Sequence, residues 1–317
     1  MTALATASSI FDQLGQLSDL YRNGAYFDRF YTPEEVHGPV KPPVKFYLKE
    51  EGCEEIELVA FRCLGFGGSK KALSLSDGRV LLIPGPVGGL ALWDRIIQEE
   101  VEWSQHFREH GLLAVTSKRV EIRGSKEEAF CPAYISLSFA SLAEKHIYIR
   151  DNKNTMSSTW NPDNFEDMSY NDKCLHGGYR PIFTNKVDSL DVEKWFPLFS
   201  DLIDDVARMQ STFFCPGGDC LNFAVITHED KVPQSIRPFL FDFSSKGRRN
   251  PLEGRVAEPV DKAGIAQRIN TILTAFLFSL YQDRLGITYE EQTEMIAKLT
   301  DRCMAEYCRR YLPSDVV

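Results

Sequence analysis

Apolar and polar positions alternate in the first half of the chain and follow a helical period in most of the second. The spacing predicts a short helix over Ile10–Tyr21, then a Pro-rich extended passage, Gly38–Val44. Strand-like runs follow at Val44–Leu48 and Ile56–Cys63. Two more, Lys71–Leu75 and Val80–Ile83, flank the hairpin turn Ser76-Asp77-Gly78-Arg79. Leu92, Ile96, Ile97, Val101, Ser104 and Phe107 mark one face of a helix over Leu92–His110, which Gly111 stops. Two strands are expected next, near Leu113–Ile122 and Ala133–Phe139. A helix over Asp191–Gln210 presents Trp195, Leu198, Phe199, Leu202, Ile203, Val206 and Met209 on one face. Short strands at 223–226 and 238–242 frame a polar hairpin, and long helices are expected over Lys262–Leu285 and Tyr289–Tyr311. No internal repeat is visible. The pattern predicts an α+β chain: antiparallel strands with one helix, then a mainly helical second half. The expected divisions are an extension and linker over 1–45, a first lobe over 46–140 and a second over 141–317. The second lobe carries a polar insertion, rich in Asn and Asp, at about 151–188.

Composition fits this picture. The 317 residues are 43% hydrophobic and 12% aromatic, as in a globular chain with a real core. A net charge of −9 argues against a general nucleic-acid coat. No apolar run is long enough to span a bilayer, and the opening residues lack the basic and apolar regions of a Sec-type signal. The cysteines are Cys53, Cys63, Cys131, Cys174, Cys215, Cys220, Cys303 and Cys308. They are scattered, and the two closer pairs, Cys215/Cys220 and Cys303/Cys308, lack CxxC spacing and a nearby His, so reduced thiols in a cytoplasm are expected rather than disulfides or a zinc site.

The candidate chemistry lies in three short stretches. In Leu64-Gly-Phe-Gly-Gly-Ser-Lys-Lys-Ala-Leu73, Gly65, Gly67 and Gly68 fall at a strand-to-strand turn. Glycines there let backbone N–H groups approach phosphate oxygens. No GKS or GKT follows and the next element is a strand, so this is not a Walker A loop. In Gly218-Asp219-Cys-Leu-Asn222, Asn222 directly precedes a strand, where an amide oxygen can ligate Mg²⁺. Phe241-Asp242-Phe243 ends an apolar strand, and a carboxylate there needs compensation that a divalent cation would supply. An ordinary hairpin, a turn aspartate at 219 and a plain strand-end aspartate at 242 are the competing explanations.

In this order the three stretches resemble the nucleotide site of the protein-kinase superfamily, over roughly residues 56–285. The resemblance implies a bilobal fold, a small antiparallel β lobe with one helix and a mainly helical lobe, with ATP and one or two Mg²⁺ or Mn²⁺ as cofactors and transfer of the γ-phosphate. The strand that normally carries the phosphate-binding lysine, Val80–Pro84, has none. Gly65-x-Gly67-x-x-Lys70, however, is similar to the with-no-lysine kinases, whose lysine takes the place of the third glycine. This implies Lys70 as the phosphate lysine, pointing inward, with Lys71 outward. It implies Glu100 as its helix partner, Glu99 and Glu102 being near alternatives. Asp219 would accept or orient the acceptor proton, and Asn222 and Asp242 would hold metal. The chain departs from the family in lacking His-Arg-Asp and Ala-Pro-Glu, and in having Ser244 for the last glycine of Asp-Phe-Gly. Such divergence resembles kinase-like effectors that bacteria deliver to a host cytosol. The acceptor is not readable. A protein substrate is one candidate partner, and Arg248, Arg249 and Arg255 could contact an anionic activator or form a solvated basic loop. The alternatives are a pseudokinase that binds nucleotide or a partner, and a kinase fold that transfers AMP.

Overall fold

A computed structural model describes residues 10–17, 42–66, 70–85, 89–137, 141–142, 144–150, 179–180, 182–212, 221–243, 261–280 and 285–312. They fall into two compact units. The first gathers the described residues within 1–105, 115–141 and 243–248, and the second those within 106–114, 142–242 and 249–317.

The first unit is built on a closed six-stranded barrel. Its strands are β1 (Val44–Lys49), β2 (Ile56–Phe66), β3 (Lys70–Leu75), β4 (Arg79–Pro84), β6 (Ser117–Arg123) and β7 (Cys131–Leu137). They neighbour one another in the order β1-β2-β3-β4-β7-β6, and β6 closes the ring on β1 through Tyr47↔Arg123 and Leu48↔Ile122. Every pairing is antiparallel. The expected meander is present, but closure by β1 turns the small sheet into a barrel. Side chains alternate across each strand, so Phe46 and Leu48, Leu73 and Leu75, and Leu81 and Ile83 share the buried core. The hairpin at 76–79 forms as expected, with Gly78 at φ +82° and Asp77 accepting from the Arg79 amide. Between β4 and β6 runs the helix α2 (Gly89–Glu109).

The N-terminal stretch expected as an extension belongs partly to this core. Residues 10–15 are helical (α1), and Ile10, Phe11, Leu14 and Leu17 are buried in the barrel cluster. The boundary at residue 45 therefore cuts through a packed unit.

The second unit contains a four-stranded sheet, ordered β5-β10-β9-β8. It comprises β5 (Leu113–Ala114), β8 (Ile147–Arg150), β9 (Leu221–Thr227) and β10 (Pro233–Leu240). β8, β9 and β10 pair antiparallel, while β5 joins β10 in parallel through Phe239↔Leu113 and Leu240↔Ala114. This corrects one expectation: Leu113–Ile122 is two strands in different units rather than one. The helices are α3 (Lys186–Ser189), α4 (Val192–Trp195), α5 (Ser200–Ser211), α6 (Lys262–Leu280) and α7 (Tyr289–Tyr311). The single helix expected over Asp191–Gln210 is broken by a 3₁₀ turn, Phe196–Phe199, because Pro197 has no N–H to continue an α-helix. The apolar face still forms: Trp195, Phe199, Phe223 and Phe276 pack as an aromatic cluster, Phe223 and Phe276 with centroids 5.1 Å apart. α7 has the expected bounds and opens with a capping box between Thr288 and Glu291.

Most of the polar stretch at 151–188 lies outside the described residues. Where description resumes, Tyr179 is buried and the Arg180 amide donates to the Lys231 carbonyl at 2.9 Å. Among the described residues no helix is long and apolar enough to cross a membrane.

Candidate functional site

In the first unit, the end of β3 and the middle of α2 bring two predicted residues together. Lys70 Nζ donates to Glu100 Oε1 at 2.5 Å. The Glu100 side chain is 2% exposed and that of Lys70 14%. An ionised carboxylate so deeply buried requires a partner, since taking it from water costs several kcal/mol. Lys70 Nζ also lies 6.0 Å from the ring centroid of Tyr134, and Tyr134 packs on Trp93 at 5.8 Å. α2 is fixed by side-chain bonds near both ends. Trp93 Nε1 donates to the Pro132 carbonyl at 2.7 Å, and Ser104 Oγ donates to the Val115 carbonyl while accepting from the Ser117 amide. The neighbouring glutamates do other things: Glu99 accepts from Arg95 and Glu102 from Gln98.

The two lysines take opposite faces of β3. Lys70 faces Glu100, and Lys71 shares its face with Leu73 and Leu75, which fill the barrel. Lys71 Nζ donates to the carbonyls of Gly15 at 2.6 Å and Leu17 at 3.0 Å, at the end of α1. Gly65 lies within β2, opposite Ala72 of β3, rather than in a turn, because the β2–β3 ladder runs on to Phe66↔Lys71. Gly67 and Gly68 lie outside the described residues.

In the second unit, Asn222 and Asp242 belong to the same end of the β9–β10 hairpin. Their register closes with Asn222↔Phe239 and Leu221↔Leu240. Asn222 is 2% exposed, and Asp242 follows two residues after β10. The Asp242 backbone is left-handed, at φ +59°. Aspartate is among the few non-glycine residues that adopt this region readily, and His146 and Lys231 share it. Asp219, Arg248, Arg249 and Arg255 lie outside the described residues.

An amide and a carboxylate oxygen are the donors a hard divalent cation takes, and Mg²⁺ commonly uses only one or two protein ligands, with phosphate and water supplying the rest. The donor chemistry therefore fits Mg²⁺ or Mn²⁺. Among the described residues no group of three or more His, Cys, Asp or Glu side chains could hold a metal by itself.

One buried constellation had no signal in the sequence. Asp205, on α5, is fully buried. It receives the Arg237 guanidinium in a two-point grip, Nε to Oδ2 at 2.8 Å and Nη2 to Oδ1 at 2.6 Å, and Arg208 Nη1 at 2.9 Å. Burial pushes the Asp205 carboxyl up, against the arginine bonds that pull it down. Arg237 Nη2 also donates to the carbonyl of Gly111, at φ +73° in the turn after α2. The partners are 32 residues apart in sequence, so no local spacing betrays them.

No protein-family model matches the chain, and no curated protein matches it. Among solved structures, aerobactin synthetase IucC from a hypervirulent pathotype of Klebsiella pneumoniae aligns at 11% sequence identity and a TM-score of 0.38. The alignment covers 75% of this chain and 45% of the synthetase, so the chain spans less than half of that protein. A likeness this weak carries no conclusion about fold or activity.

Proposed function

We propose that the chain is an ATP-binding phosphotransferase of the protein-kinase type, its two units corresponding to the two lobes of that fold. The observation that supports this best is the buried Lys70–Glu100 pair. An ion pair in this setting contributes little net stability compared with apolar packing. A strand lysine held by a helix glutamate is, however, the arrangement that presents a fixed ammonium to ATP phosphates. In this reading Lys70 neutralises the phosphates and Glu100 holds it extended. Asn222 and Asp242 hold one or two Mg²⁺ or Mn²⁺, which when bound would neutralise charge on the transferring phosphoryl group. Asp219 orients the acceptor. The second support is that Asn222 and Asp242 fall at the same end of the β9–β10 hairpin.

The test is incubation with γ- and α-labelled ATP and either metal, comparing wild type with Lys70→Met, Glu100→Gln and Asp242→Ala. Label from the γ position, reduced by ~10²-fold or more in each variant, is the expected result for groups that stabilise the transferring charge. Retained α label would redirect the assignment to nucleotidyl transfer. Nucleotide binding without turnover would indicate a pseudokinase. Metal-dependent ATP binding left intact in Asp242→Ala would overturn the metal assignment.

A further inference from the structure

Lys70 opens β3, and its pair with Pro84 is the outermost of the β3–β4 ladder. A strand end with no further ladder beyond it frays unless its side chains are tied. Here both faces are tied by consecutive residues. Lys70 is held on one face by Glu100. Lys71 is held on the other by the carbonyls of Gly15 and Leu17, where α1 ends. Helix-terminal carbonyls lack partners within the helix and carry partial negative charge, so an ammonium is a fitting cap. α1 is itself anchored, with Ile10 and Leu14 fully buried in the barrel core.

We infer that Lys71 is a positioning residue for Lys70: by clasping the end of α1 it clamps the first residues of β3, so that the neighbouring ammonium is presented to Glu100 and to phosphate. The N-terminal helix is then part of the apparatus that sets the lysine. This inference rests on the phosphotransferase reading for its functional meaning, but the coupling of α1 to Lys70 through Lys71 can be measured without any nucleotide.

The measurement is the acylation rate of individual lysines by an N-hydroxysuccinimide ester of acetic acid, read by peptide mass spectrometry on the full chain. Lys70, paired and mostly buried, should react slowly in the wild type, and Lys45, 75% exposed, quickly. Lys71→Met should speed Lys70 acylation roughly five-fold or more, the scale of losing charge-assisted hydrogen bonds at a strand end. Leu14→Ala, which loosens α1 and leaves both lysines intact, should move Lys70 in the same direction. Lys71→Arg, which can still donate to both carbonyls, should stay near wild type. Lys118, on β6 of the same barrel, is the reference. Unchanged Lys70 acylation in Lys71→Met and Leu14→Ala overturns the inference. So does a rise shared equally by Lys118, which would mean that the barrel as a whole has opened. MgATP binding separates the two ideas. If wild type binds none while Lys70 acylation follows the variants, the functional reading fails and the coupling stands. If wild type binds MgATP and Lys71→Met changes neither affinity nor Lys70 acylation, the coupling fails and the functional reading stands.

Discussion

Replacing Asp205 by alanine should destabilise the second unit far more than replacing the whole ion pair. In Asp205→Ala the Arg237 side chain, 16% exposed, loses both bonds of its two-point grip and keeps only the Gly111 carbonyl. Leaving a charge buried without its counter-charge costs about 3–5 kcal/mol. The Arg208 arm adds little, because that side chain is 43% exposed and surface pairs contribute about 0–1 kcal/mol. The double replacement Asp205→Leu with Arg237→Met removes both charges at similar volume. Burial already disfavours the ionised Asp205, so removing the pair together should be nearly neutral, less about 1 kcal/mol for the lost bond to Gly111. The assay is urea unfolding followed by circular dichroism, with hydrogen exchange of the Leu221–Thr227 and Pro233–Leu240 amides to assign the change to this sheet. A cost below about 1 kcal/mol for Asp205→Ala would refute the reasoning. A double variant as unstable as the single one would refute it too, because the pair would then be favourable in its own right.

Glu306 gives a pH signature: the Arg309 and Arg310 bonds hold its carboxyl down at about 2. A depressed carboxylate contributes stability above its unfolded value, near 4.5, and loses it as pH falls toward the folded one. The melting temperature of Glu306→Gln should therefore lie below wild type at neutral pH, with the gap closing from about pH 4.5 down to about pH 2; a gap constant with pH would contradict this. Among the thiols, burial pushes Cys303 up to about 12, while Cys53 is exposed. Iodoacetamide at about pH 8 should modify Cys53 in the native protein and reach Cys303 only in urea, because the thiolate is the reactive form. Native labelling of Cys303 at a comparable rate would mean that α7 does not enclose this thiol in solution.

The elements that were legible in the sequence are those whose signal is local. α7 carries its own cap, Thr288 with Glu291, and its own helical period, and its bounds agree at both ends. The 76–79 hairpin is written in its turn residues. The Lys70–Glu100 pairing was legible only through the resemblance, since 30 residues separate the two and each has a lysine or glutamate beside it. What was not legible depends on partners distant along the chain. β1 looks like any short strand, and nothing in Val44–Lys49 announces that Ser117–Arg123 will close a ring on it. The apolar side of Ile10–Leu17 announces burial but not the barrel that buries it.

The parallel pairing of β5 with β10 has a kinetic consequence during synthesis. Ala114 waits for Leu240, about 125 residues later, before its ladder can form. At ribosomal rates that delay is roughly 6–25 s. All six barrel strands and α1 have been made by Leu137, well before then. A nascent chain therefore holds a completed barrel sequence while residues 106–114, which interrupt it, still lack the sheet they will join. During that interval the short segment Leu113–Ala114 is a tether rather than a strand, and the second unit acquires its edge only when its own central hairpin has emerged.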